Sequence, residues 1–247
     1  MDYNILLLFL IGHFLGDFYF QTDVIARNKN WQVAKLLKHC ALYSVAMLIV
    51  IIPVFSLELL ICSFAISLIH FIVDLIKSLI KSGKENEIKI YLVDQAIHLF
   101  VIFGFAAFIS QNFFVSYNDS LMDLFDLFNI NDLNILSIIL SLMIIMKPSR
   151  ITIKIVLAKY GNFQKELKEG VPYTGALIGE LERVIILLML TQSQYAAVGF
   201  ILTAKSVARY KKIVDDINFS EYYLLGTFLS TLMVILTYLV VFLPFFE

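Results

Sequence analysis

Residues 57–79 read LELLICSFAISLIHFIVDLIKSL. About 20 mostly apolar residues are needed to carry a helix across the hydrocarbon core of a bilayer, and this stretch is long enough. Its charges are Glu58 at the start and Asp74 and Lys77 near the end, with His70 one helical turn before Asp74. It reads as a membrane-spanning helix whose ionisable groups, apart from Glu58 in its first turn, are confined to one half.

Working outward, the same reading applies at eight places, approximately 4–22, 36–54, 57–79, 91–110, 133–147, 174–191, 195–210 and 221–244. The chain of 247 residues is 60% hydrophobic and 16% charged, and its mean hydropathy is +0.85. A soluble domain of this size needs far more polar surface. The fold expected is therefore all-α: a polytopic transmembrane bundle of about eight helices. A net charge of −1 supplies no basic field for nucleic acid. Cys40 and Cys62 lie in apolar stretches without framework spacing. The first apolar segment has no basic leader and contains His13 and Asp17, so it reads as a retained helix and not a signal peptide.

Charge gives the orientation. With the N-terminus outside, all 19 Lys and Arg fall in cytoplasmic gaps or cytoplasmic helix halves, while the opposite gaps carry only acids such as Glu58, Asp119, Asp123, Asp126 and Asp132. Both termini are then outside. The organisation expected is a first transmembrane half over 1–110, an outer amphipathic segment over 111–132, and a second transmembrane half over 133–247. In the outer segment Leu121, Leu124, Phe125 and Phe128 share one helical face. The second half includes a basic cytoplasmic linker at 148–173.

Each of the first four helices carries one histidine: His13, His39, His70 and His98. Three have an aspartate four residues away, His13 with Asp17, His70 with Asp74 and His98 with Asp94, a spacing that places each pair on one helix face. All seven fall in the middle-to-inner part of their helices. His39 follows His13 by 26 residues, and His98 follows His70 by 28. The pattern suggests a tandem repeat of helical hairpins about an axis along the membrane normal. A charge at a helix centre costs about 2.5–3.5 kcal/mol on insertion scales, so these groups face one another, water or an ion. Imidazole with carboxylate suits a divalent metal, zinc foremost, with manganese or iron as alternatives. Hydrogen bonding between helices is the bland reading of such residues, and a metal-free proton relay or substrate site is a third.

In the second half, Glu180, Glu182 and Arg183 sit in an otherwise apolar helix, and Lys205 and Arg209 share a face on the next. Arg183, Lys205 and Arg209 form a candidate socket for phosphate or carboxylate. The bland alternative pairs Glu182 or Glu180 with Lys205 or Arg183. Gly175, Gly179, Gly199 and Gly226 are expected to let helices approach closely.

The motifs His13-x-x-x-Asp17-Phe18-x-x-Gln21, His70-Phe71-x-x-Asp74-x-x-Lys77 and Asp94-Gln95-x-x-His98 resemble an uncharacterised family of bacterial integral membrane proteins, catalogued only as a domain of unknown function. Gly179-x-x-Glu182-Arg183, Gly199-Phe200, Ala204-Lys205-Ser206 with Arg209, Glu221-Tyr222 and Gly226-Thr227 resemble the longer members of that group. The resemblance covers most of the chain outside the linker. It implies a bacterial inner-membrane location and no established activity. A looser similarity, limited to membrane-embedded His and Asp, is to inner-membrane proteins described as metal-dependent hydrolases.

The function expected first is a membrane-embedded metal-dependent hydrolase acting on a cytosolic or inner-leaflet substrate that contains phosphate or is lipid-linked. His13, Asp17, His70, Asp74 and His98 are the expected metal ligands. Asp94 or His39 is the general base, or orients a ligand. Lys77, Glu182, Arg183, Lys205 and Arg209 are assigned to the substrate. The alternative is a transporter or channel for a metal ion, proton or small anion using the same cluster. A membrane partner or sensor, its buried charges fixing helix register, is the third reading. The bilayer is the expected partner, nucleic acid is not, and a homo-oligomer is compatible with the sequence.

Overall fold

A computed structural model describes residues 3–21, 33–80, 86–128, 131–160 and 174–245. Every regular element among them is helical. Five helices are long and apolar enough to cross a membrane: Val33–Val54, Leu57–Leu79, Glu87–Asn112, Asp132–Ala158 and Ile217–Phe242. Two shorter apolar helices cover Tyr3–Tyr19 and Tyr195–Val207. The expected span at 174–191 is helical as well, but Glu180, Glu182 and Arg183 within it lower its apolarity.

The described residues group into two compact units that meet between Met143 and Ile144. In the first, α1 (Tyr3–Phe14) runs directly into a π-helical turn at Leu15–Tyr19. It is followed by α2 (Val33–Ile51), α3 (Leu57–Leu79) and α4 (Glu87–Asn112). Pro53 lies in a short 3-10 turn that ends α2, since it cannot donate the next helical hydrogen bond. Ser56 then caps α3 by accepting from the Leu59 amide at 3.2 Å. Neighbours in sequence pack in order, and α1 packs against α4, so the four helices close into a ring. The short α5 (Asp119–Leu127) follows, tethered by the Asn118 amide, which donates to Pro53 O at 3.0 Å. The side chains of Leu121 and Leu124, on which the amphipathic expectation partly rests, lie outside the described ones; Phe128 and Met122 are exposed.

Two glycines set the closest crossing in this unit. A Cβ at Gly12 would stand 2.8 Å from Val50 Cγ2, and one at Gly16 would stand 2.9 Å from Tyr43 Cα. Helices α1 and α2 therefore approach until backbone nearly touches backbone, as small residues permit in membrane bundles. Of the glycines expected to do this, a Cβ at Gly175 or Gly199 meets nothing within 4 Å, while one at Gly179 or Gly226 would make ordinary contact, at 3.4 Å with Arg183 Nη1 and 3.5 Å with Leu157 Cδ1.

Helix α6 (Asp132–Tyr160) is continuous through Pro148. Part of the stretch expected as a linker at 148–173 is thus helical, and its remainder lies outside the described residues. The first portion of α6 is tied to α1: Asn4 donates to Asp132 at 2.8 Å, and Tyr19 donates to Met143 O at 2.9 Å. The second unit contains the rest of α6 with α7 (Thr174–Thr191), α8 (Tyr195–Val207), α9 (Tyr210–Asp215) and α10 (Ile217–Thr237). In it α7 packs on α8 and α10.

Candidate metal centre

The seven histidines and aspartates of the first unit are brought together, and all are buried; Asp17, the most accessible, is 8% exposed. Two of the three expected pairs face each other along regular helix. His70 Nε2 is 3.7 Å from Asp74 Oδ2 on α3, and His98 Nε2 is 3.5 Å from Asp94 Oδ1 on α4. At the third pair the structure differs. Asp17 lies in the π-helical turn at Leu15–Tyr19, whose wider repeat carries its side chain off the face of His13. Such turns inside α-helices concentrate at functional sites. Asp17 Oδ1 instead lies 3.3 Å from His39 Nε2 on α2.

His39 is the hub. Its Nε2 also stands 3.2 Å from Asp74 Oδ2 and 3.2 Å from His70 Nε2. An imidazole carries at most one hydrogen on that nitrogen, and one N–H cannot serve two carboxylates and a second ring nitrogen. A cation among them can. Tetrahedral zinc with ligands at 2.0–2.1 Å has ligand–ligand edges of about 3.3–3.4 Å. Four edges of the set Asp17 Oδ1, His39 Nε2, His70 Nε2 and Asp74 Oδ2 measure 3.2, 3.2, 3.3 and 3.7 Å. The donor types and these four edges fit a divalent metal. Two overlapping groups have donor atoms within 4.8 Å of one another: Asp17, His39 and His70, and His70, Asp74 and His98.

His13, expected as a ligand, is buried but held one step away. Its Nε2 is 3.4 Å from Gln95 Oε1, and its Nδ1 is 3.3 Å from Tyr43 OH. Gln95 Nε2 donates to Asp17 Oδ2 at 2.8 Å. A carboxylate only accepts, so the amide NH2 faces Asp17 and the amide oxygen faces His13. The network then assigns the His13 proton to Nε2 and makes Nδ1 the acceptor from Tyr43. The chain His13–Gln95–Asp17 holds one carboxylate oxygen and turns the other towards His39, as partners of metal ligands do. Tyr43 also stacks on His70, with ring centroids 3.7 Å apart at 7°. Gln95 and Tyr43 were not assigned from sequence. Tyr43 is four residues after His39 and so shares its face, a signal that was there to read.

Asp94, expected as a base, lies at the edge of the cluster. Lys77 Nζ donates to its Oδ2 at 2.5 Å and sits 4.0 Å from Asp74 Oδ1. Lys77 is 20% exposed while Asp74 and Asp94 are buried, so it is the cluster's cation towards the helix ends. The other residues assigned to substrate belong to the second unit. Lys205 Nζ is 2.6 Å from Glu182 Oε2 and 5.6 Å from the Tyr223 ring, and Arg209 is 5.8 Å from the same ring. The buried Arg183 donates from Nε to Ile145 O, from Nη2 to Met146 O at 3.2 Å, and from Nη1 to Ser230 Oγ at 3.4 Å. It also lines a cavity of about 240 Å³ with Arg150, Lys154 and Tyr222.

Long apolar helices around a buried His/Asp cluster define a helical protein of membrane type with a candidate metal centre. A family model described as "Protein of unknown function (DUF3307)" matches residues 5–125, the stretch that holds all seven histidines and aspartates of the cluster. No curated protein and no solved structure matches the chain.

Proposed function

We propose that the protein is a membrane-embedded metal-dependent hydrolase with its centre at Asp17, His39, His70 and Asp74. The observation that carries the reading is the convergence of two carboxylates and a second imidazole on His39 Nε2 at 3.2–3.3 Å. When bound there, a divalent metal supplies a Lewis acid and activates water for attack near neutral pH. Around it, Gln95 orients Asp17, Tyr43 holds the His70 ring, and Asp94 fixes His98 within reach of His70 and Asp74. Lys77 is placed to accept an anionic group of the substrate, a phosphate in the simplest case.

An enzyme is favoured over a transporter by what lies beyond the cluster in the same unit. Phe9, Met47, Leu59, Ile66, Ile102 and Ile109 are each at most 1% exposed, and their helices pack in one ring. A path for a metal ion, proton or small anion must part this apolar layer, whereas a site open to one side need not. We assign that open side to the cytoplasm or inner leaflet of a bacterial inner membrane, with eight spans and both termini outside, a reading that the one-sided placement of Lys and Arg supports.

The test is metal content by mass spectrometry on the full chain purified in detergent, beside His39→Ala and His70→Ala variants that retain their helicity. About one or more equivalents of zinc, manganese or iron in the parent, lost in the variants, is the expected result. Phosphoester and lipid hydrolysis by the loaded protein, against flux into liposomes, then separates enzyme from transporter. A metal-free parent, under conditions that keep a control metalloprotein loaded, overturns the reading.

A further inference from the structure

Beside the first donor set lies a second group of buried atoms that its ligands do not exhaust. His98 Nε2 and Asp94 Oδ1 are both buried, and among the described residues each has only the other, at the limit of hydrogen-bond distance, as a polar partner. They lie 3.5 Å from each other, close to the edge of about 3.3–3.4 Å between two ligands of one tetrahedral ion. His98 also offers an atom within 4.8 Å of donors from His70 and Asp74, so it joins that group to the Asp94 carboxylate. Polar atoms buried with poor hydrogen bonds are costly, and a cation between these two removes that cost.

The carboxylates are divided in the way a paired site requires. Asp74 Oδ2 faces His39, and its other oxygen, Oδ1, is turned towards Lys77 at 4.0 Å. Asp94 Oδ2 is held by Lys77 at 2.5 Å, which turns Oδ1 towards His98. Asp74 therefore stands between the two donor groups, as a bridging carboxylate does in two-metal hydrolytic sites.

We infer that the chain holds a second divalent cation beside the first, with His98 and Asp94 as its own ligands and Asp74 shared between the two. The inference rests on the first centre proposed above and adds the stoichiometry: the centre is binuclear. In hydrolysis a second cation would clamp both the attacking and the leaving oxygens, which points to substrates with an anionic phosphoryl group, phosphomonoesters or phosphodiesters. Lys77, bound to Asp94, becomes the group that orients the second set.

The experiment loads the full chain in detergent with Mn2+ alone and counts metal per chain by mass spectrometry. About two equivalents are expected in the parent, and about one in His98→Ala and in Asp94→Asn. The parent's electron paramagnetic resonance spectrum, which needs no variant, is expected to show an exchange-coupled pair. One equivalent in the parent, or two with the six-line spectrum of isolated ions, overturns the second site while leaving the first. None in the parent removes the first centre and the second with it.

Discussion

Asp17 meets His39 and not His13. The four residues between His13 and Asp17 place both on one face of an α-helix, yet the chain enters a π-helical turn at Leu15, and Asp17 Oδ1 comes to rest 3.3 Å from His39 Nε2. His70 and Asp74, the corresponding pair on α3, stay on regular helix at 3.7 Å. The two hairpins thus share a sequence pattern while contributing unequally: Asp17 and His39 of the first enter the same donor set, whereas His98 of the second stands with Asp94.

The π turn exposes Asp17 to Gln95, and this makes Gln95 a positioning residue. Removing the partner of a ligand costs about 10–100-fold in metal affinity. Gln95→Ala is expected to weaken metal binding by about that factor, measured by competition with a chromophoric chelator, while Gln95→Glu keeps the volume and adds a carboxylate where Asp17 needs a donor. Unchanged affinity in Gln95→Ala would leave the His13–Gln95–Asp17 chain as packing only.

The all-helical fold, its long apolar helices and the His70–Asp74 and His98–Asp94 pairs follow from hydropathy and periodicity, because helical spacing fixes which side chains share a face. The departures come from what periodicity does not encode. No residue type in Leu15–Tyr19 announces a π turn, so Asp17 was given to His13. His39 has no aspartate at helical spacing, and that left its part as the hub unread; its three partners arrive from α1 and α3. Gln95 is a neutral side chain beside a conspicuous aspartate, and its role depends on the crossing of α1 with α4.

Gly16 is where fold and site meet. A Cβ there would lie 2.9 Å from Tyr43 Cα and 2.8 Å from Tyr43 Cδ2, and a backbone atom cannot swing aside. Gly16→Ala is expected to push α1 from α2, lower stability by about 1–3 kcal/mol as overpacking does, and reduce metal content by separating Asp17 from His39. Gly104→Ala, where a Cβ meets nothing within 4 Å, serves as the control. Denaturant titration in mixed micelles reads the first effect and metal analysis the second. Equal behaviour of the two variants would contradict the close crossing.

In the second unit Arg183 is joined to the proline of α6. Pro148 has no N–H for the Ile144 carbonyl, and Ser149 Oγ takes that carbonyl at 2.7 Å, while Arg183 takes those of Ile145 and Met146. Arg183→Met strips two buried carbonyls of a partner, at about 1–3 kcal/mol each. In a Pro148→Ala background, where helical hydrogen bonding can re-form, the loss is expected to shrink. A double-mutant cycle by thermal unfolding measures the coupling, and additive losses would separate Arg183 from Pro148.

The orientation we propose rests on the one-sided placement of Lys and Arg, and it decides which compartment the cluster faces. Asp123 of α5 and Lys211 of α9 are both exposed and fall on opposite sides of the membrane in the eight-span arrangement. With Cys40 and Cys62 replaced by serine, single cysteines at these positions can be challenged in intact cells with a maleimide that does not cross the bilayer. Asp123→Cys is expected to label from outside and Lys211→Cys only after lysis, as the positive-inside rule requires. The inverse pattern would turn the His39 cluster to the outer face, where a cytosolic or inner-leaflet substrate does not reach it. Labelling of both from the same side would require an odd number of spans between α5 and α9 to be replaced by an even one, with α7 or α8 lying along the membrane and not across it.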